Sequence, residues 1–91
     1  MKITLDDKFK NSLDNILDFI ALDSLNQSKK FNRDLFKQIY KIPDMPYKFR
    51  KSIHFNDENI RDLVFKGYTV PYLIDDEVIV VLGIVKYMEV V

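Results

Sequence analysis

One apolar run, Val78-Ile-Val-Val-Leu-Gly-Ile-Val85, constrains this chain more than any other feature, because it places no polar residue on either alternating face. A strand of that kind belongs in the middle of a sheet, covered on both sides. Two β-rich runs precede it, residues 60–65 and 68–74, and the separators are only Lys66-Gly67 and Asp75-Asp76-Glu77. Turns that short join neighbouring antiparallel strands, so residues 59–88 read as a three-stranded meander. Pro71 interrupts the second run and has no amide proton. It is expected at a bulge, or where an N–H would point away from a ladder.

The rest of the chain must cover that sheet. Lys2–Leu5 alternates polar and apolar residues, which suits a short edge strand with one wet face. The period then changes: Phe9, Leu13, Ile16, Leu17, Ile20 and Ala21 recur at three and four, predicting a helix over residues 7–22 with Asp6 and Asp7 at its positive end. Ser24-Leu-Asn-Gln27 is a capping box, so a second helix begins at once. Leu25, Phe31, Leu35, Phe36, Ile39 and Ile42 stripe it over residues 25–42, and the tight turn sets the two helices antiparallel. Pro43 ends it and Pro46 keeps the chain extended. Residues 47–59 have no clear period and read as a loop to the sheet, pinned by Tyr47, Phe49 and Phe55.

The expected fold is α+β, in the order β-α-α-β-β-β, with a helical hairpin packed on one face of an antiparallel four-stranded sheet. At 91 residues the chain is expected to be one domain, residues 1–91. Arg61, Leu63 and Phe65 share one face of the first meander strand, and Thr69, Pro71 and Leu73 one face of the next. That is more apolar surface than two helices cover from one side, so a partner is expected over part of it.

The zero net charge hides a segregation. Residues 29–51 carry eight basic groups (Lys29, Lys30, Arg33, Lys37, Lys41, Lys48, Arg50, Lys51) against Asp34 and Asp44, and the flanking segments are acidic. Such a block favours an acidic partner, polypeptide or nucleic acid, as readily as it forms a solvated helix face. No Cys is present, which excludes a disulfide scaffold and a thiol nucleophile. The start lacks an apolar signal and no apolar run could span a bilayer, so a soluble cytoplasmic protein is expected.

Few residues could carry catalysis. His54 is the only His, and Gly67 and Gly83 are the only glycines, which leaves neither a nucleophile elbow nor a phosphate-cradling loop. Three adjacent carboxylates in the turn at Asp75-Asp76-Glu77 point apart and lack metal-loop spacing, so no metal and no cofactor is expected. Metal-free RNA cleavage needs groups that move protons and stabilise a phosphorane. The candidates are Lys48, Arg50, Lys51, His54, Arg61, Lys86 and Tyr87, each also an ordinary loop or strand-end residue.

The order of elements and several short words resemble the RelE/ParE superfamily, toxins of bacterial type II toxin-antitoxin pairs. The likeness runs over nearly the whole chain: Asp23-Ser24 with Phe31 in the helical hairpin, Ile42-Pro43 at its end, then Ile60-Arg61, Gly67-Tyr68, Tyr72-Leu-Ile-Asp-Asp-Glu77 and Val80-Val-Leu-Gly-Ile-Val-Lys86 in the sheet. The resemblance implies a growth inhibitor neutralised by a cognate antitoxin in a hetero-oligomer. The superfamily holds RelE-like members that cut mRNA in the ribosomal A site and ParE-like members that poison DNA gyrase. The nucleases usually carry Arg just after the Gly-Tyr of the middle meander strand, where this chain has Thr69. Thr cannot supply cationic stabilisation there. Beyond Lys86 and Tyr87 the chain runs Met88-Glu-Val-Val91 rather than into further basic residues. These departures favour the ParE-like branch, with DNA gyrase as target, ahead of a ribosome-dependent mRNA endonuclease and of an inactive antitoxin-binding relative. The antitoxin is expected on the second helix and the uncovered sheet face, contacting Lys37, Lys41, Lys48, Arg50, Lys51, Arg61, Leu63, Phe65 and Leu73. A small partner gene overlapping this reading frame would settle the toxin-antitoxin reading.

Overall fold

The computed structural model describes residues 1–86; Tyr87, a candidate site residue, lies outside them. The chain forms β1 (Lys2–Leu5), α1 (Asp7–Asp23), α2 (Leu25–Ile39), a short 3-10 turn (Ile42–Asp44), β2 (Ile60–Phe65), β3 (Tyr68–Asp75), β4 (Val78–Val81) and β5 (Val85–Lys86). The strands lie in the order β1-β4-β3-β2, with β5 added to β3. The two helices pack on one face, and Phe9, Leu13, Phe31, Leu35 and Ile39 meet Leu63, Phe65, Val70, Tyr72, Ile79 and Val81 in a single buried cluster.

The helices start where local chemistry directs them. The Asp6 carboxylate accepts from the Lys8 amide at 3.3 Å and caps α1. Ser24 serves both helices: its hydroxyl accepts from the Gln27 amide at 3.2 Å, and its own N–H donates to the Ile20 carbonyl. That second bond replaces the reciprocal contact expected from Gln27, because the backbone N–H is already used in closing α1. The Ser28 hydroxyl ties the hairpin, donating to the Leu17 carbonyl at 2.8 Å. α2 stops at Ile39, three residues short of the expected end. The ring of Pro43 would collide with the carbonyl four residues earlier, that of Ile39, and residues 42–44 wind into the 3-10 turn instead.

The meander is antiparallel, as expected, with the register Ile60↔Leu73 to Phe65↔Tyr68 and Tyr72↔Val81 to Asp75↔Val78. At the first turn Lys66 and Gly67 both take positive φ, 45° and 82°, the twist that a two-residue hairpin needs and that glycine adopts without strain. The sheet is mixed, not antiparallel throughout, since β1 pairs with β4 in parallel. Only strands joined by a tight turn are forced antiparallel, and β1 is linked to β4 through both helices and two other strands.

The run over residues 78–85 is central but not continuous. From Tyr72↔Val81 to Thr69↔Val85, three residues of the last strand oppose two of β3, a β-bulge opposite Pro71. The cause is the proline. The bond from the Ile74 amide to the Asn59 carbonyl fixes the alternation in which the Pro71 nitrogen faces β4. Leu82 still donates to the Pro71 carbonyl at 2.9 Å, but its own carbonyl finds no ladder donor and the strand buckles there. Val78 and Val80, on the face away from the helices, are half-buried, so the second cover is partial.

Candidate functional site

Pairing parity decides which face each site residue occupies. Arg61, Leu63 and Phe65 pair with Tyr72, Val70 and Tyr68, and this is the helix-covered face. Leu63 and Phe65 are buried there, with Phe31 of α2 edge-on to Phe65 at 5.3 Å, so neither offers a partner surface. The expectation for these two residues is corrected: period two groups residues by face but does not say which face receives the helices. The far face carries Ile60, Asp62, Val64, Thr69, Pro71 and Leu73. Leu73 is half-buried on it.

Arg61 extends past the end of the helical layer and clamps the loop. Its Nε donates to the Glu58 carbonyl at 3.1 Å, one terminal nitrogen donates to the Phe49 carbonyl at 3.3 Å, and its guanidinium lies over the Tyr47 ring at 5.0 Å. The Tyr47 hydroxyl donates to Asn59 Oδ1 at 2.8 Å, and Lys51 pairs with Glu58 at 3.2 Å. Of the three aromatic residues expected to pin this loop, Phe49 packs on the core, edge-on to Tyr72, whereas Tyr47 and Phe55 stay exposed.

Asp62 anchors the next stretch. Residues 50–52 run beside β2, with Asp62 donating its amide to the Arg50 carbonyl and Ser52 its amide to the Ile60 carbonyl. Residues 53–55 then turn beneath the sheet, where the buried Asp62 carboxylate accepts from the Ile53 amide at 3.2 Å and lies 3.6 Å from the Arg50 guanidinium. His54 and Phe55 thereby reach a cavity of about 470 Å³ shared with Pro71, Leu82, Ile84 and Lys86. His54 and Lys86 are the two nuclease candidates brought to one place. Arg61 and Arg50 are committed to the loop, and Lys48 lies over Phe49. Thr69, at the position where the related nucleases carry Arg, is 1% exposed between Val64 and Val85.

A second surface, legible only in part from the sequence, lies at the end of α2. Lys41 and Lys48 border a cleft of about 180 Å³ with Gln38, Asp44, Met45 and Phe49. Around it Tyr40, Met45 and Tyr47 are exposed by 65%, 62% and 52%. Cationic groups interleaved with large exposed apolar ones suit an amphipathic acidic segment. Tyr40 and Met45 fall outside the helical stripe, which is the one sign of them in the sequence. Among the described residues Lys37 and Lys41 make no ion pair.

Tyr72 joins this surface to the core. Its hydroxyl donates to the Pro46 carbonyl at 2.6 Å, and burial pushes its pKa up to about 12, against an opposing contribution from Arg61 and with a smaller raising one from Asp62. The neutral phenol is thus favoured in the folded state. Its contribution is complete below the unfolded value near 10 and is lost as pH rises through 12, on the order of 3 kcal/mol. Titration at 295 nm should show Tyr72 ionising late, and Tyr72→Phe should abolish that step.

Comparison with known proteins gives a consistent result. A family model described as "ParE toxin of type II toxin-antitoxin system, parDE" matches residues 3–89. Among solved structures, a chain from "Chromosomal ParDE TA system from P. aeruginosa" is similar, with a TM-score of 0.78, 18% identity and 97% of each chain covered. At that identity the likeness bears on the fold. No curated protein matches in sequence. Among the described residues no helix is long and apolar enough to cross a membrane.

Proposed function

The chain belongs to the ParE toxin family of type II toxin-antitoxin systems, and from that premise we propose that it is a cytoplasmic growth inhibitor that acts by binding DNA gyrase and is neutralised by a cognate antitoxin. The observation that carries the choice of target is the burial of Thr69. Cleavage of a phosphodiester without a metal needs preorganised cationic donors around the phosphorane, and losing one costs on the order of a hundredfold in rate. A Thr sealed between Val64 and Val85 supplies none, and Arg61 and Arg50 hold the loop instead. The competing reading, mRNA cleavage on the ribosome, is supported by His54 and Lys86 sharing one cavity.

One experiment separates the two. Purified protein is added to gyrase with supercoiled DNA and, in parallel, to ribosomes programmed with mRNA. Accumulation of gyrase-cleaved DNA with intact message is the expected result. Codon-specific A-site cleavage that disappears in His54→Ala or Lys86→Ala would establish the nuclease instead, and inactivity in both would leave an antitoxin-binding relative.

In this reading the antitoxin binds the basic and apolar patch at the end of α2, and Leu73 on the far sheet face is a second contact. Replacing Lys37, Lys41 and Lys48 with Glu is expected to weaken the complex about tenfold or more at low salt, with a smaller loss at high salt. Equal affinity of the triple variant in low-salt titration calorimetry would put the antitoxin elsewhere.

A further inference from the structure

Apart from Lys37 near its open end, which belongs to the patch proposed for the antitoxin, the outer surface of the helical hairpin is used by none of the contacts described above, yet it is neither neutral nor wholly polar. Leu22 and Leu25 are 86% and 59% exposed on either side of the bend at Ser24, and Phe19, 73% exposed, lies a little less than a turn before Leu22. Behind this apolar tip the two helices carry opposite charge. α1 presents Asp14 and Asp18 on its outer side, about a third of a turn or more from the core residue Leu13. α2 presents Lys30 and Arg33 on its outer side, in the same relation to Leu35. Among the described residues no ion pair joins α1 to α2, so the two stripes do not neutralise each other within the chain.

We propose that this surface pairs with a second copy of the same chain, two hairpins stacking through their outer faces into a four-helix layer with the twofold axis parallel to the helices. That symmetry is the one the charges select. A twofold parallel to the helices lays α1 of one protomer over α2 of its partner, antiparallel and with both bends at the same end. A twofold across the helices would set like helix on like and acid on acid. Residues equally far from the bend at Ser24 then face each other. Asp18 and Lys30 are each six positions from it, and Asp14 and Arg33 differ by one. Each pair occurs twice, and the two tips bring Leu22 and Leu25 of both protomers together, removing from water the apolar surface that a single chain leaves exposed. The packing is that of an ordinary antiparallel bundle, with side chains long enough to bridge the layers. The inference is independent of the toxin's target and uses neither the cleft at the end of α2 nor the cavity beneath the sheet.

Sedimentation over a range of concentrations tests it, with three single variants and one mixture. The unmodified chain is expected to self-associate to a dimer. Leu22→Asp, Asp18→Lys and Lys30→Glu are each expected to weaken the dimer about tenfold or more, with circular dichroism melting unchanged because all three sites are exposed. Mixing Asp18→Lys with Lys30→Glu restores complementary charge at both symmetry-related pairs, so the mixture is expected to form a heterodimer that neither variant forms alone. An unmodified chain that stays monomeric to its solubility limit overturns the proposal. So does a dimer indifferent to Leu22→Asp, or a mixture that fails to associate.

Discussion

Phe9→Ala is expected to remove about 3–5 kcal/mol of stability, a large part of what a chain of this size possesses. Phe9 has no exposed surface, and its ring meets the edge of Phe36 at 6.3 Å, so it holds the first turn of α1 against α2 over the centre of the sheet. Truncation loses the transfer energy of the ring and leaves a void that side chains fixed on three elements cannot fill. Phe19→Ala, on the same helix, should change stability by no more than about 0.5 kcal/mol, because that ring is 73% exposed. The comparison is a pair of urea melts. Similar losses in the two variants would mean that α1 is rotated from the orientation described.

Asp62→Ala is expected to release the loop more than to unfold the protein. The carboxylate is fully buried, and one of its oxygens, Oδ1, has no hydrogen-bond donor among the described residues. Its value lies in the other oxygen, which holds the Ile53 amide, and in its proximity to Arg50. Alanine leaves that amide without its acceptor, at a cost of about 1–3 kcal/mol that is relieved when residues 50–54 lift toward water. Trypsin cleavage after Arg50 and Lys51 should therefore accelerate about tenfold or more. Asp62→Asn keeps an acceptor oxygen for Ile53 and should accelerate it less. Unchanged proteolysis of the alanine variant would show that Arg61 and its partners hold the loop without Asp62.

The contrast between Phe9 and Phe19 shows what a single sequence can yield. Position within the helical period separates the two phenylalanines, and equally local rules mark the Ser24 cap, both meander turns and Pro71 as a break in regular pairing. These are local rules, each decided by a few neighbouring residues. What required the structure was relative placement. Nothing in the alternation of β2 says that Leu63 and Phe65 face the helices while Asp62 faces away, and nothing in the apolar character of β1 says that it runs parallel to β4. The candidate site suffered most. Residues 47–59 have no period, and their course depends on Arg61 and Asp62, which lie on a strand but bond to a loop. The basic residues were visible as a block, but their interleaving with Tyr40, Met45 and Tyr47 was not.

The parallel pairing of β1 with β4 also governs when the protein can exist during its own synthesis. Lys2 through Leu5 are made well before their ladder partners, Val78 through Val81. Until those late residues leave the ribosome, β1 has no neighbour and the inner face of α1 lacks Ile79 and Val81, so the core cannot close. The helical hairpin alone is short and charged on its outer side, too marginal to persist by itself. Long-range closure of this kind also slows folding once the chain is released. A growing chain of this sequence therefore cannot assemble the fold, or the surfaces built on its sheet, until β4 has emerged.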